Sequence, residues 1–405
     1  MKEVYKHIDK LYVYQGKDYV GVLKRTSTGC ELEFDTNYFN NPNHPFLTYQ
    51  ISKQSKVYKT PGINLPPFFA GLLPEGLRFK ALVKEIKTSD DDLFSLLAAS
   101  GEQTVGDINV KRKKSEEPKE IKAPNLNEVI FYDLFKKNLK NGFTLKGDES
   151  FSGAQEKLSA SMISFPLRIA KKNKFYILKL NPSDKPNLVY NEHQCLLLAK
   201  SCGIDANRSQ IVFDKNKNPG LLIERFDRQL TENGDIVKVH QEDACQFLNK
   251  YPADKYRLSF NEICEAIGNF ATAPSIELLK TLQLYIFSYL MGNGDLHSKN
   301  ISLQTDYKTG RIQLTPAYDI ICTYLYKDQK MALKLDSRDT NFKRRYFIEF
   351  GERFGIEKKA IEYAIDKLIY LLNKNQHLLI QIPNLTAKEK DLITNLVTSR
   401  IKCLN

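Results

Sequence analysis

Apolar and polar positions alternate along KLYVYQGKDYVGVLKR (10 to 25), with apolar and aromatic residues on either side of Gln15, Gly16, Lys17 and Asp18. A period of two interrupted by a glycine-containing turn predicts a β-hairpin. GCELEFD (29 to 35) alternates in the same manner and predicts a further strand. After two prolines, LPPFFAGLLPEGLRFKALVKEI (65 to 86) turns helical, and DDDLFSLLAASGE (90 to 102) predicts a capped helix ended by Gly101. KRKKSEEPKEIKAP (111 to 124) is charged and holds two prolines, the composition of a linker. Beyond it, NLNEVIFYDLFKKNL predicts an amphipathic helix with a partly apolar face marked by Val129, Tyr132, Asp133 and Phe135.

From 146 to 225 the pattern is mixed. A turn-rich segment, GDESFSGAQEKLSASMI, precedes the strand KFYILKL (174 to 180), the helix NEHQCLLLAKSCG (191 to 203, closed by Gly203) and the strand GLLIERF (220 to 226). From about 240 the helical period dominates in EDACQFLN, FNEICEAIGNF and SIELLKTLQLYIFSYLM, broken by strand-like ISLQT (301 to 305) and RIQLTPAYDIICT (311 to 323). IEKKAIEYAIDKLIYLL carries a stripe of Ile361, Ala364, Ile365, Leu368, Ile369 and Leu372, and Thr386 with Glu389 forms a capping-box pattern. No internal repeat is visible. The order of elements predicts an α+β fold: a β-rich part followed by a larger helical one.

Composition narrows this picture. With 405 residues, 42% apolar and 11% aromatic, the chain is expected to fold into two or three domains rather than remain disordered. Its N-terminus has no run of signal-peptide length, and its longest apolar stretch, 282 to 291, is about half of what a bilayer span needs. A soluble cytoplasmic protein without membrane contact is expected. Seven cysteines without a CxxC pair predict reduced thiols packed in cores, and six scattered histidines without HExxH argue against a structural metal. A net charge of +12 suits an anionic partner such as nucleic acid or nucleotide, and equally suits solvated surface lysines.

Directly after LQLYIFSYLM, the nine residues GNGDLHSKN (292 to 300) crowd together two glycines, an aspartate, a histidine, a lysine and an asparagine. A polar helix end, a histidine metal site and a catalytic loop would each use such residues. Phosphoryl transfer needs positioning above all: a carboxylate to orient or deprotonate the attacking hydroxyl, and oxygen ligands for magnesium. Asp295, followed five residues later by Asn300, supplies one of each, and Asp319 in TPAYDII follows the strand pair ISLQT and RIQLT. Magnesium takes hard oxygens and keeps several waters, so Asn300 and Asp319 suffice as protein ligands beside substrate phosphates. This spacing matches the catalytic and metal loops of protein-kinase-like phosphotransferases. A metal site at His297 is disfavoured, because no second histidine lies nearby.

A kinase also needs a strand lysine for the ATP phosphates and a helix glutamate to hold it. Lys179 in KFYILKLNP sits in an apolar strand, where a lysine is costly without a charged partner, and Glu192 opens the next helix. ESFSGAQEK (149 to 157) suits a loop over the phosphates, with Gly153 allowing close backbone approach and Lys157 supplying charge.

Taken in order, SFSGAQEKLSA, YILKLNP, NEHQCLLLA, LLIERFDR, QEDACQFL, GNGDLHSKN and LTPAYDII resemble the HipA family, serine/threonine kinase toxins of HipBA-type toxin–antitoxin modules. LPPFFAGLLPEG and LLAASGEQTVGDI resemble the N-terminal subdomain of that family, so the resemblance covers nearly the whole chain. It implies a two-lobed protein-kinase-like fold, with an N-terminal subdomain and charged linker at 1–123, a β-rich kinase N-lobe at 124–235 and a helical C-lobe at 236–405. It implies Asp295 as the catalytic aspartate, Asn300 and Asp319 as magnesium ligands, and Lys179 (held by Glu192) on the ATP phosphates. Glu224, Arg225 and Phe226 would be the hinge that meets adenine through its backbone. Residues 151 to 157, with Gly153, Ala154, Gln155, Glu156 and Lys157, would be the phosphate loop. Ser150 matches the autophosphorylated serine of the family, and Ser152 is a second candidate; a phosphate there would repel those of ATP and eject the loop. His297 would hydrogen-bond the loop backbone or Asp319, and Lys299 could steady the transferring phosphate or Asp295.

The resemblance further implies ATP and Mg2+, a HipB-like helix-turn-helix antitoxin, operator DNA reached through that complex, and an aminoacyl-tRNA synthetase as the protein substrate, phosphorylated to stop translation. The chain departs from ordinary protein kinases: it has no GxGxxG, NGD replaces HRD, and Ile320 and Ile321 follow Asp319. Two other readings compete. GDLHSKN also resembles the loop of aminoglycoside and choline kinases, which lack the N-terminal module and SFSGAQEK. A chain acting mainly as corepressor with its antitoxin is the other.

Overall fold

The computed structural model describes residues 5–44, 46–61, 64–102, 104–114, 125–135, 163–169, 174–182, 185 and 187–405. Contacts divide the chain into two units, Met1–Lys185 with Val212–Pro252, and Pro186–Ile211 with Ala253–Asn405.

In the first unit, β1 (Lys10–Gln15) and β2 (Asp18–Thr26) form the expected hairpin, turning at Gly16 with φ +60°. With β3 (Gly29–Phe34), β4 (Val57–Pro61) and β5 (Ile108–Lys111) they build an antiparallel sheet of order β4-β3-β2-β1-β5. Gly21 pairs with Phe34 so closely that a Cβ would lie 2.1 Å from the Glu33 carbonyl oxygen; only glycine allows that pairing. The short α1 (Thr36–Asn40) follows β3. The segment expected as one helix over 65–86 is two, α2 (Pro67–Gly71) and α3 (Gly76–Ile86). Pro74 lies in the gap, where its ring and missing N–H end any helix arriving from the N-terminal side. Next, α4 (Leu93–Ser100) begins at the Asp92 cap and ends at Gly101, whose N–H donates to the Leu97 carbonyl at 2.8 Å. These elements bury a shared core that includes Leu11, Val13, Leu32, Phe69 and Leu97.

A second sheet of order β6-β7-β9-β8 comprises β6 (Ile163–Ile169), β7 (Lys174–Leu180), β8 (Ser209–Phe213) and β9 (Pro219–Glu224). Between β7 and β8 the chain runs through α5 (Leu188–Ser201), which belongs to the second unit; it starts three residues before the expected helix and closes, as expected, at Gly203 with φ +79°. Before β6, the expected helix from 125 is a 3-10 turn at Leu126–Glu128 followed by helical residues 131–135. Phe131, Leu134 and Phe135 face the sheet core, Val129 and Tyr132 only border it, and Asp133 is exposed. The two phenylalanines one turn apart offer more apolar area than the expected face, and the sheet selects them.

Past β9 come β10 (Arg228–Leu230), β11 (Ile236–Lys238), β12 (His240–Asp243) and α6 (Ala244–Phe247). This stretch is tied to the loop before β5 by a buried polar network. Asp227 accepts from Arg225 Nε (2.9 Å) and Nη2 (2.6 Å), from Arg228 Nη1 (2.8 Å) and from the Gly106 N–H (2.9 Å). His240 lies between Asp107 (2.7 Å) and Glu242 (2.9 Å), and Glu242 also accepts from the Tyr49 N–H at 2.7 Å.

In the second unit, α7 (Phe260–Phe270) and α8 (Pro274–Met291) pack with α9 (Arg344–Arg353), α10 (Lys358–Asn375) and α11 (Ala387–Leu404), beside the antiparallel pair β13 (Ser302–Thr305) and β14 (Ile312–Leu314). Helix α8 is buried around nearly its whole C-terminal half, with the rings of Phe260, Phe342 and Phe347 gathered about Tyr285, whose hydroxyl donates to the Leu333 carbonyl at 2.8 Å. The stripe expected on α10 is its buried face, residue for residue. Thr386 and Glu389 form the expected capping box on α11. Six of the seven cysteines are buried and Cys403 is exposed. No described helix is long and apolar enough to cross a membrane.

Candidate active site

The residues GNGDLHSKN begin where α8 ends. Gly292 stops the helix in the left-handed conformation (φ +84°), and the Asn293 N–H donates to the Ser288 carbonyl at 2.8 Å. A Cβ on Gly294 would lie 2.5 Å from the Lys330 carbonyl oxygen, so the loop passes this point only as glycine. Thr323 laces the loop to the downstream segment: its hydroxyl accepts from the Gly294 N–H (2.7 Å) and donates to the Gly292 carbonyl (3.3 Å).

Three hydrogen bonds fix the Asp295 backbone. Its N–H donates to Asn293 Oδ1 (3.1 Å), while its carbonyl accepts from the His297 N–H (2.8 Å) and from Asn300 Nδ2 (3.0 Å). The last bond places the carboxylate and the carboxamide on one tight turn. Asp295 is half-buried in a loop otherwise buried from Gly292 to Asn300. Its Oδ1 accepts from the Tyr256 hydroxyl at 2.8 Å, and its Oδ2 has no hydrogen-bond partner among the described residues. The Asn300 Oδ1 likewise has none among them, which leaves an acceptor oxygen for a ligand.

Asp319 sits at φ +54°, a backbone that L residues seldom adopt and aspartate tolerates better than most. Its neighbour Tyr318 donates to the Lys299 carbonyl at 2.7 Å, so the residues preceding Asp319 and Asn300 are fastened to each other. Further along, Asn191 on α5 clasps Cys322 with both ends of its amide: Oδ1 accepts from the Cys322 N–H (2.8 Å), and Nδ2 donates to the Cys322 carbonyl (3.2 Å). Among the described residues no cluster of three or more histidine, cysteine or carboxylate groups could hold a metal. A carboxamide oxygen and one carboxylate still fit magnesium, which completes its shell with water and phosphate oxygens.

His297 is buried with its ring edge-on to Tyr256 (centroids 5.1 Å apart), and Lys299 is buried as well. Asp328 lies near Asp295: burial first, and then the Asp295 charge, push its carboxyl above the usual range.

In the first unit, Lys179 lies on β7 between β6 and β9, opposite Ser164 and Leu221, so it is no edge-strand lysine. It is buried on the face away from Tyr176, Leu178 and Leu180. Glu224 pairs with Lys174 at 2.7 Å, and strand β9 ends there, two residues short of the expected end. The Arg225 N–H donates to the Phe175 carbonyl at 2.9 Å and its guanidinium holds Asp227 and the Thr104 carbonyl, so its side chain and its donor are committed within the unit. Glu192 is fully buried on α5 of the second unit. Ser150, Ser152, Gly153, Ala154, Gln155, Glu156 and Lys157 lie outside the described residues. Tyr256, Thr323, Asn191 and Tyr318 were not legible as site residues, because no local pattern marks them; only the fold brings them to the loop.

The HipA-like C-terminal domain family matches residues 149–375 and the HipA N-terminal domain family matches residues 11–111. The chain is 29% identical over 291 residues to Y4mE of Sinorhizobium fredii, covering 68% of each chain. It is 28% identical over 295 residues to the serine/threonine-protein kinase toxin HipA of Shewanella oneidensis, covering 66% of each. It superposes on a chain from the Shewanella oneidensis MR-1 complex of HipA, HipB and operator DNA with a TM-score of 0.74 at 20% identity, covering 97% of both chains. The α+β fold is therefore kinase-like.

Proposed function

The chain belongs to the HipA family, and from that membership we propose that it is a serine/threonine protein kinase toxin that moves the γ-phosphate of ATP to a serine of a protein. The observation that carries this reading is the turn on which Asn300 Nδ2 holds the Asp295 carbonyl, with Asp295 Oδ2 and Asn300 Oδ1 both left as acceptors. Asp295 would orient the serine hydroxyl and take its proton as the oxygen–phosphorus bond forms and the bond to ADP breaks. Asn300 and Asp319 would hold Mg2+, which when bound screens the charge of the phosphates. Lys179, Glu192, the 151–157 loop and the hinge at 224–226 would bind ATP, and autophosphorylation at Ser150 or Ser152 would inactivate the enzyme. An aminoacyl-tRNA synthetase is the proposed substrate and a HipB-like antitoxin the proposed partner. The relative of like fold assembled with HipB and operator DNA supports that partnership.

The test is a phosphoproteome of cells expressing the wild type or Asp295→Gln. Serine sites on few proteins should depend on Asp295. If no phosphosite differs between the two, the kinase reading fails.

A further inference from the structure

We infer that Tyr256 is a positioning residue for Asp295, an inference that rests on the kinase reading above. A carboxylate turns easily about its terminal torsion, which has broad minima. The backbone bonds described above leave the Asp295 carboxylate plane unfixed. The Tyr256 hydroxyl fixes it, donating to Oδ1 at 2.8 Å and leaving Oδ2 as the oxygen with no partner among the described residues. Oδ2 is then the one that faces an incoming hydroxyl.

The tyrosine is itself held. The Lys255 carbonyl accepts from the Ser298 N–H (3.2 Å) and from Ser298 Oγ (3.0 Å), tying the backbone beside Tyr256 to the same loop. The ring meets His297 edge-on, at 86° with centroids 5.1 Å apart. This gives the buried His297 a role as the surface against which Tyr256 rests. Packing alone does not account for Tyr256, which is 54% exposed and gains little from burial. What the position requires is a rigid side chain ending in a hydroxyl. Because the backbone is clamped at Lys255, Tyr256 is built into the loop rather than hinged over it.

Catalysis tolerates little misplacement of the base, so removing the hydroxyl should act on turnover and not on nucleotide binding. The experiment compares purified full-length wild type and Tyr256→Phe for incorporation of γ-phosphate from ATP into the chain itself across ATP concentrations. Phosphosites are mapped by mass spectrometry, and thermal melting serves as a control. Losing a hydrogen bond to a charged acceptor should lower the maximal rate about tenfold or more. Half-saturating ATP should change by less than about twofold, with melting unaltered. An unchanged maximal rate overturns the inference. A raised rate overturns it too and makes Tyr256 an occupant of the acceptor position, and phosphotyrosine at 256 in the wild type likewise overturns it, making Tyr256 an acceptor and not a positioning residue. If the wild type neither labels itself nor turns over ATP, the kinase reading falls and takes the inference with it, an outcome distinct from equal activity of the two proteins.

Discussion

His240 shows what a single side chain contributes when two buried carboxylates hold it. Burial by itself would push the imidazole down, but the charges and hydrogen bonds of Asp107 and Glu242 outweigh burial and push it up to about 10. A pKa raised on folding stabilises below the unfolded value of about 6.5, and that stability is lost as pH rises through the folded value. Lys238 in the same network is pushed down to about 7, first by burial and then by Arg228 and Arg225, and it works in the opposite sense. The effect of His240 is therefore read as a difference between proteins. The melting-temperature gap between wild type and His240→Gln should be widest below about pH 6.5 and close toward about pH 10. A gap that ignores pH, or widens with it, would show that the charged imidazole is not what holds this network. Asp227 belongs to the same account: burial raises it, and Arg225 and Arg228 more than offset that and hold it well below the carboxylate range. At this scale the sequence named Asp295, Asn300 and Asp319 from type and spacing. It offered no sign of Tyr256, whose contact spans 39 residues of chain.

At the scale of elements, periodicity served best where a helix faces one neighbour. The α10 stripe from Ile361 to Leu372 is the buried face because a single apolar stripe leaves no second choice. It failed where two faces competed, as at 131–135, and where a proline divided an apolar run, as at Pro74. The end of α8 matters most, because the proposed catalytic loop starts there. Gly292 holds φ +84°, and a Cβ would lie 2.7 Å from a Leu396 methyl carbon and 3.1 Å from the Tyr324 Cβ. Gly292→Ala should thus lower stability by about 1–2 kcal/mol from left-handed strain alone, more if Leu396 does not yield. Urea unfolding followed by circular dichroism measures it; a loss below about 0.5 kcal/mol would mean that the helix end does not need the left-handed turn.

At the scale of the molecule, the charge of +12 becomes testable through the proposed partnership. If basic residues of this chain reach operator DNA, the complex with a HipB-like antitoxin should lose affinity with salt more steeply than the antitoxin alone, its log–log slope steeper by about 0.9 for each added phosphate contact. Fluorescence anisotropy between 50 and 200 mM salt, the range over which about 10³–10⁵ in affinity is lost for 6–10 contacts, gives both slopes. Equal slopes would remove DNA contact by this chain. The sequence by itself determined the α+β class, most elements, the glycine-bounded loop and the order of its chemical groups, because these depend on local periodicity and on residue type. Only the tertiary structure decided that α5 joins the second unit although β7, the strand before it, belongs to the first, that Arg225 anchors Asp227, and that Tyr256 and Thr323 reach the loop. Such contacts close long stretches of chain, and a side chain that meets its partner only after folding leaves no period in the sequence around it.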